Sequence, residues 1–101
     1  MISIIQFEEF GPGMGFPSMK NHFDSGPYKG KDKVVAYLKS GRKTYSATSF
    51  SRDAFTGEKI PGERCGMTDE EYSWVSSLAY YVERYNLRLP PAFEEKAIQT
   101  V

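Results

Sequence analysis

Between Met67 and Asn86 the sequence carries a helix start, an apolar stripe and a helix stop in that order, and the rest of a 101-residue chain must pack around this segment. Thr68 can cap a helix, and Glu71 three residues later completes a capping box. Met67 before the cap and Tyr72 after it form the matching hydrophobic staple. Asp69, Glu70 and Glu71 set negative charge against the positive end of the helix dipole. At about 100° per residue, Trp74, Val75, Leu78, Tyr81, Val82 and Tyr85 share one face. Asn86 tolerates the left-handed conformation that closes a helix. The pattern predicts a helix from about Asp69 to Tyr85. Pro90-Pro91 bars its continuation, and Pro91 opens a second short helix through Glu94-Glu95-Lys96, docked by Phe93 and Ile98.

The N-terminal part reads as strands and turns. Ile2, Ile4, Ile5, Phe7 and Phe10 suit a first strand, broken at Gly11-Pro12-Gly13-Met14-Gly15-Phe16-Pro17. Ser18 to Lys33 reads as loop with one helical turn near Ser18 to Phe23. Val34 to Lys39 alternates, with Val34, Ala36 and Leu38 on one face and Val35 and Tyr37 on the other, and predicts a strand. Ser40-Gly41 turns the chain, and Thr44 to Ser51, rich in Thr, Tyr and Phe, reads as the return strand. A turn at Thr56-Gly57 precedes a third short strand near Glu58 to Ile60. The expected fold class is therefore α+β, a single domain over residues 1–101. A small antiparallel sheet of three to four strands packs on one main helix, with a short C-terminal helix beside it. Trp74, Leu78 and Val82 are expected at its centre.

Thirteen Lys plus Arg balance thirteen Asp plus Glu, so no global charge drives the chain to nucleic acid or to a membrane surface. The balance is uneven along the chain. Met1–Tyr28 has one base and three acids, net −2; Lys29–Arg64 has nine and four, net +5; Cys65–Val101 has three and six, net −3. One cysteine, Cys65, rules out an internal disulfide. The N-terminus has neither the basic region nor the apolar run of a signal peptide, and no stretch approaches the roughly 18 apolar residues of a membrane span. A reducing cytoplasm is the expected location.

Candidate sites are few. The stretch Gly11–Pro17 invites comparison with a phosphate cradle, yet it lacks the Gly-Lys-Ser/Thr ending of a P-loop, and Pro12 and Pro17 remove amide donors. His22 and Cys65 are single residues of their kind, too few for a structural zinc site without carboxylates or a second chain; pairing them as a nucleophile and base rests on composition alone. Glu8-Glu9, Glu70-Glu71 and Glu94-Glu95 are adjacent residues, which diverge on a helix rather than converge on a substrate. No metal, cofactor or catalytic group is expected. Arg42 and Lys43 follow the predicted hairpin turn and read as projecting from its tip; with Arg52, and with Tyr45 and Phe50 interleaved, they form a basic surface. Tyr80 falls off the apolar face of the predicted helix beside Ser73, Ser77 and Arg84, as an interface anchor would.

The runs Phe55-Thr56-Gly57-Glu58-Lys59-Ile60-Pro61, Glu71-Tyr72-Ser73-Trp74 and Tyr80-Tyr81-Val82-Glu83-Arg84-Tyr85-Asn86-Leu87-Arg88-Leu89-Pro90-Pro91-Ala92-Phe93 resemble small domains carried by bacteria and their mobile elements. The resemblance covers the C-terminal half and implies no activity. Two functional readings follow. The first is a non-catalytic binding protein that occludes a macromolecular partner through Arg42, Lys43, Arg52, Tyr80 and Arg84, with a phage or mobile-element inhibitor of a bacterial defence system as one concrete version. The partner is expected to be a protein, with nucleic acid or a nucleotide as the other possibility and no membrane. The second is a domain that sequesters a small ligand or nucleotide, using the glycine loop with Lys29, Lys31, Arg42 or Arg52. A homo-oligomer is compatible with either, because small sheets have edges to cover.

Overall fold

The computed structural model describes residues 3–10, 13, 15–46, 49–62 and 64–100. It is an α+β fold: a four-stranded sheet carries helices on one face. The strands are β1 (Ser3–Ile4), β2 (Arg42–Ser46), β3 (Cys65–Thr68) and β4 (Tyr72–Val75), in the order β1-β4-β3-β2. The pairs β2–β3 and β3–β4 are antiparallel, and β1 lies parallel to β4 at the far edge. The helices are α1 (Lys31–Lys39), α2 (Leu78–Tyr85) and α3 (Pro91–Thr100).

Two predicted elements change type. Val34–Lys39 is not a strand but the body of α1. The buried residues are Val34, Tyr37 and Leu38, the i, i+3, i+4 set of a helix, while Ala36 is exposed. A short apolar run satisfies both periods, and packing decides between them. Here α1 lies against α2 and α3, Tyr37 donates its hydroxyl to Asp69, and the Leu38 carbonyl accepts the indole N–H of Trp74 at 3.3 Å. The entry to α1 depends on Gly30, whose φ of 86° is left-handed and whose absent Cβ would stand 2.5 Å from Cδ1 of Ile98 on α3. The hairpin expected from Val34–Lys39 and Thr44–Ser51 therefore does not form.

The predicted helix from Asp69 is half strand. Residues 69–71 make the tight turn between β3 and β4, and α2 begins at Leu78. The capping signals are used, but by the turn. Thr68 Oγ1 accepts the Glu70 amide (3.0 Å) and donates to the Tyr72 carbonyl (2.7 Å). Asp69 Oδ1 accepts the amides of Glu71 (3.0 Å) and Tyr72 (2.6 Å). Side chains that satisfy the free amides of a helix N-terminus serve those of a hairpin equally well.

The helix ends behave as predicted. Asn86 closes α2 at φ 57°, ψ 41°, and Pro91 opens α3. Phe93 is fully buried and Ile98 partly so. Ser18 caps the short 3-10 turn Met19–His22. Ile2 of the predicted first strand lies outside the described residues; among those described the strand has two residues, and a 3-10 turn at Glu8–Phe10 stands where its continuation was expected, while the predicted strand at Glu58–Ile60 is reduced to the isolated bridge Arg52↔Lys59. Gly11, Pro12 and Met14 of the glycine loop lie outside the described residues; Gly13 and Gly15 are exposed.

The core forms between sheet and helices. Trp74, Leu78 and Val82 are buried as expected. Phe93 packs α3 onto β4: its ring meets Trp74 edge-on at 5.4 Å and Tyr72 at 5.1 Å. A second aromatic cluster, Phe23, Phe55, Tyr81 and Tyr85, packs the long β2–β3 connection onto α2. Among the described residues no helix is long and apolar enough to cross a membrane.

Candidate functional site

The β2–β3 connection is an arm of about the length of a small hairpin, held together by backbone bonds from Asp53 to Glu58 (2.8 Å), Ile60 to Ser51 (2.9 Å) and Arg64 to Ser49 (3.1 Å). Its position over α2 is set by one carboxylate. Asp53 is 2% exposed. Its Oδ1 accepts the amides of Phe55 (2.7 Å) and Thr56 (3.1 Å), and its Oδ2 accepts the hydroxyls of Tyr85 (2.5 Å) and Tyr80 (2.8 Å). Arg84 adds an ion pair at 3.6 Å, donates to the Tyr80 hydroxyl, and reaches Glu58 at 3.1 Å. Tyr81 completes the latch, accepting the Ala54 amide at 2.9 Å. Burial pushes the Asp53 carboxyl up, but the Tyr85 hydroxyl, the Phe55 amide, the Tyr80 hydroxyl and the Thr56 amide together outweigh it and hold it below the usual carboxylate value. Burial and the Asp53 hydrogen bond push the Tyr85 phenol up to about 12.

The latched arm leaves an open groove of about 900 Å³ between itself, α2 and the C-terminal end of α1. Leu38, Ile60, Cys65, Met67 and Ala79 supply an apolar floor. Lys39, Lys43, Tyr80, Glu83 and Arg84 stand around it. Cys65 lies on β3 beside Ser46, with 3.6 Å between Sγ and Oγ. His22 sits in the N-terminal turn against the Phe7 ring, 5.8 Å between centroids.

The predicted site residues divide between these features. Lys43, Tyr80 and Arg84 reach the groove. Arg42 does not: neighbours on a strand point to opposite faces, and Arg42 pairs with Glu70 at 2.6 Å beside a separate shallow depression. Arg42 and Lys43 open β2 instead of projecting from a hairpin tip. Arg52 lies on the arm, its guanidinium on the Gly57 carbonyl at 3.1 Å. Tyr80 is not a free ridge residue; it is half-buried and committed to Asp53, while Ser73 belongs to β4 and Ser77 is buried.

Sequence reasoning missed Asp53. The signal was present in Asp53-Ala54-Phe55-Thr56-Gly57, where an aspartate ahead of a turn can take the amides two and three residues on. Nothing in spacing announced the tyrosines that complete the latch. Two other carboxylates act as ties. Asp69 joins Tyr37 of α1 and Lys96 of α3 (2.8 Å) to the β3–β4 turn. Glu94 binds Arg88 at 2.9 Å and the Leu89 amide at 2.9 Å. Among the described residues no three His, Cys, Asp or Glu side chains gather as metal ligands would.

The arm carries an uneven charge. Asp53 and Glu58 are paired with Arg84. Lys43, Arg52, Lys59 and Arg64 are exposed and have no carboxylate within ion-pair distance among the described residues. Tyr45 (52% exposed) and Phe50 (49%) stand with them, Lys59 lying over the Phe50 ring at 3.6 Å. Comparison with protein-family models, with curated proteins and with solved structures gave no match.

Proposed function

We propose that this chain is a non-catalytic binding protein that acts by occluding an acidic protein partner. One observation carries the reading: Lys43, Arg52, Lys59 and Arg64 stand exposed along β2 and the arm without carboxylate partners among the described residues, beside Tyr45, Phe50 and an open apolar groove. Uncompensated cations accelerate encounter with an acidic surface, and exposed aromatics and an apolar floor supply desolvated contact. The buried carboxylates Asp53 and Glu94 are saturated by protein donors, which supports binding over acid–base work. A phage or mobile-element inhibitor of a bacterial defence system is a concrete form of this function, and it draws on the resemblance of the C-terminal half.

The test is capture from a bacterial host with the tagged parent chain and with an Arg52→Glu, Lys59→Glu variant. A protein retained by the parent, released by moderate salt and lost with the variant supports the reading. Capture that ignores both salt and charge reversal refutes it. The second reading, sequestration of a small ligand, draws on the groove alone, because about 900 Å³ lies within the range of small-molecule sites. Of the basic residues that the sequence offers for phosphate, Lys31 is committed to the Glu83 carbonyl (2.8 Å) and Asn86 (2.7 Å). A thermal shift with nucleotides, absent with acidic polypeptides, would favour that reading.

A further inference from the structure

We propose that the partner docks on the open edge of β2 as an extended acidic segment, which adds to the sheet as a fifth strand with its acidic side chains on the Lys43 side and its alternate apolar side chains along the Tyr45 ring. This rests on the binding function proposed above and names how the surface is read.

The edge is available. β2 ends the order β1-β4-β3-β2, and all five of its residues are exposed. Among the described residues, no backbone group of Arg42–Ser46 bonds outside its ladder with β3. Such a row of free N–H and C=O groups is a template for another strand. The opposite edge, β1, offers two strand residues among those described.

The register sorts the two faces of the edge. Lys43 pairs with Met67, which pairs with Trp74, so Lys43 shares the helix-side face and lines the groove. Tyr45 pairs with Gly66 and shares the outer face, where its ring covers the glycine so closely that a Cβ there would collide with it. Side chains of an added strand alternate in the same way. Those on the Lys43 side meet the Lys43 ammonium; those on the other side run along the Tyr45 ring.

Charge selects the occupant. Two copies of β2 laid edge to edge would bring Arg42 and Lys43 near their own kind, and the bulge between Lys43 and Tyr45 further spoils a long ladder. These devices deter self-pairing. They do not deter an acidic strand, which meets Lys43, whose ammonium has no carboxylate partner among the described residues.

The probe is a short labelled peptide alternating glutamate and valine, followed by fluorescence anisotropy at low salt, with amide exchange of β2 in parallel. The glutamate peptide should bind about tenfold more tightly than its lysine counterpart, as expected for one or two cross-strand charge pairs. Lys43→Glu should reverse that preference. N-methylation of all the valines or of all the glutamates should abolish binding in one case and spare it in the other, because alternate amides face β2. Binding should slow exchange across Arg42–Ser46. Equal tolerance of both N-methylated peptides, or a preference that Lys43→Glu leaves unchanged, overturns strand addition. The two levels separate in the capture experiment. Thr44→Pro blocks the edge at its bulge, where proline is tolerated, and circular dichroism checks that the variant folds. A partner lost with Arg52→Glu, Lys59→Glu but kept by Thr44→Pro refutes strand addition and leaves the binding function standing. A partner lost with both supports the two together.

Discussion

Replacing Asp53 with alanine removes one carboxylate and strands four donors from two parts of the chain: the Phe55 and Thr56 amides of the arm and the Tyr80 and Tyr85 hydroxyls of α2. A hydrogen bond to a charged group contributes about 1.5–3 kcal/mol, but the sum over four overstates the loss. Thr56 is exposed and Tyr80 and Tyr85 are half-buried, so water reaches some of the freed donors. Breaking a buried charged network by removing one partner costs about 3–5 kcal/mol, and that is the expected destabilisation. For a domain of this length the melting temperature falls by about 4–8 °C per kcal/mol, so a drop of about 12 °C or more is expected. Urea unfolding followed by circular dichroism measures the free energy. Asp53→Asn keeps Oδ1 for the amides and places an amide group before the tyrosines, so its loss should be smaller, about 1–2 kcal/mol. The same loss should follow Tyr85→Phe in the parent and shrink when Tyr85→Phe is combined with Asp53→Asn, as coupling through one network requires. The pH sign follows from the lowered pKa of Asp53. Its contribution is present above the unfolded carboxyl value and is lost as pH falls through the lower folded value. If Asp53→Ala unfolds within about 1 kcal/mol of the parent, a difference smaller than one lost hydrogen bond to a charge, the latch does not hold the arm.

Three further outcomes are expected. Asp69 has its carboxyl pKa held at about 2, burial pushing it up and Lys96, Tyr37 and the turn amides pulling it down further; this contributes about 2 kcal/mol near neutrality, lost between about pH 4 and pH 2. Asp69→Asn should remove that acid-dependent loss, read from urea titrations across the range. Gly30→Ala places a Cβ against Ile98 at φ 86° and should cost about 1–3 kcal/mol by the same assay, with Ile98→Ala relieving part of it. Leu78, fully buried at the first turn of α2, should cost about 2–5 kcal/mol on truncation to alanine; a loss below about 1 kcal/mol would contradict its place in the core.

The sequence by itself determined the features whose chemistry has few alternatives. Asn86 before Pro90-Pro91 ends one helix and starts the next wherever the segment lies, because a left-handed stop and a residue without an amide hydrogen leave little choice. The buried positions of Trp74, Leu78 and Val82 followed from apolar size, although Trp74 reaches the core from a strand and the other two from a helix. Tertiary structure decided what local chemistry left degenerate. Val34–Lys39 satisfies two periods, and α1 is a helix because α2, α3 and Asp69 meet its helical face. Thr68 and Asp69 can hold the amides of a helix or of a hairpin, and the place of β3 beside β2 selects the hairpin. The candidate site was legible in its basic residues and not in its shape. Lys43 and Arg42, adjacent in the chain, part to opposite faces because β2 is a strand, and Asp53 finds Tyr80 and Tyr85 across 27 and 32 residues. Long-range side-chain pairs of this kind leave no spacing in the sequence, since only the folded path brings them within hydrogen-bonding reach.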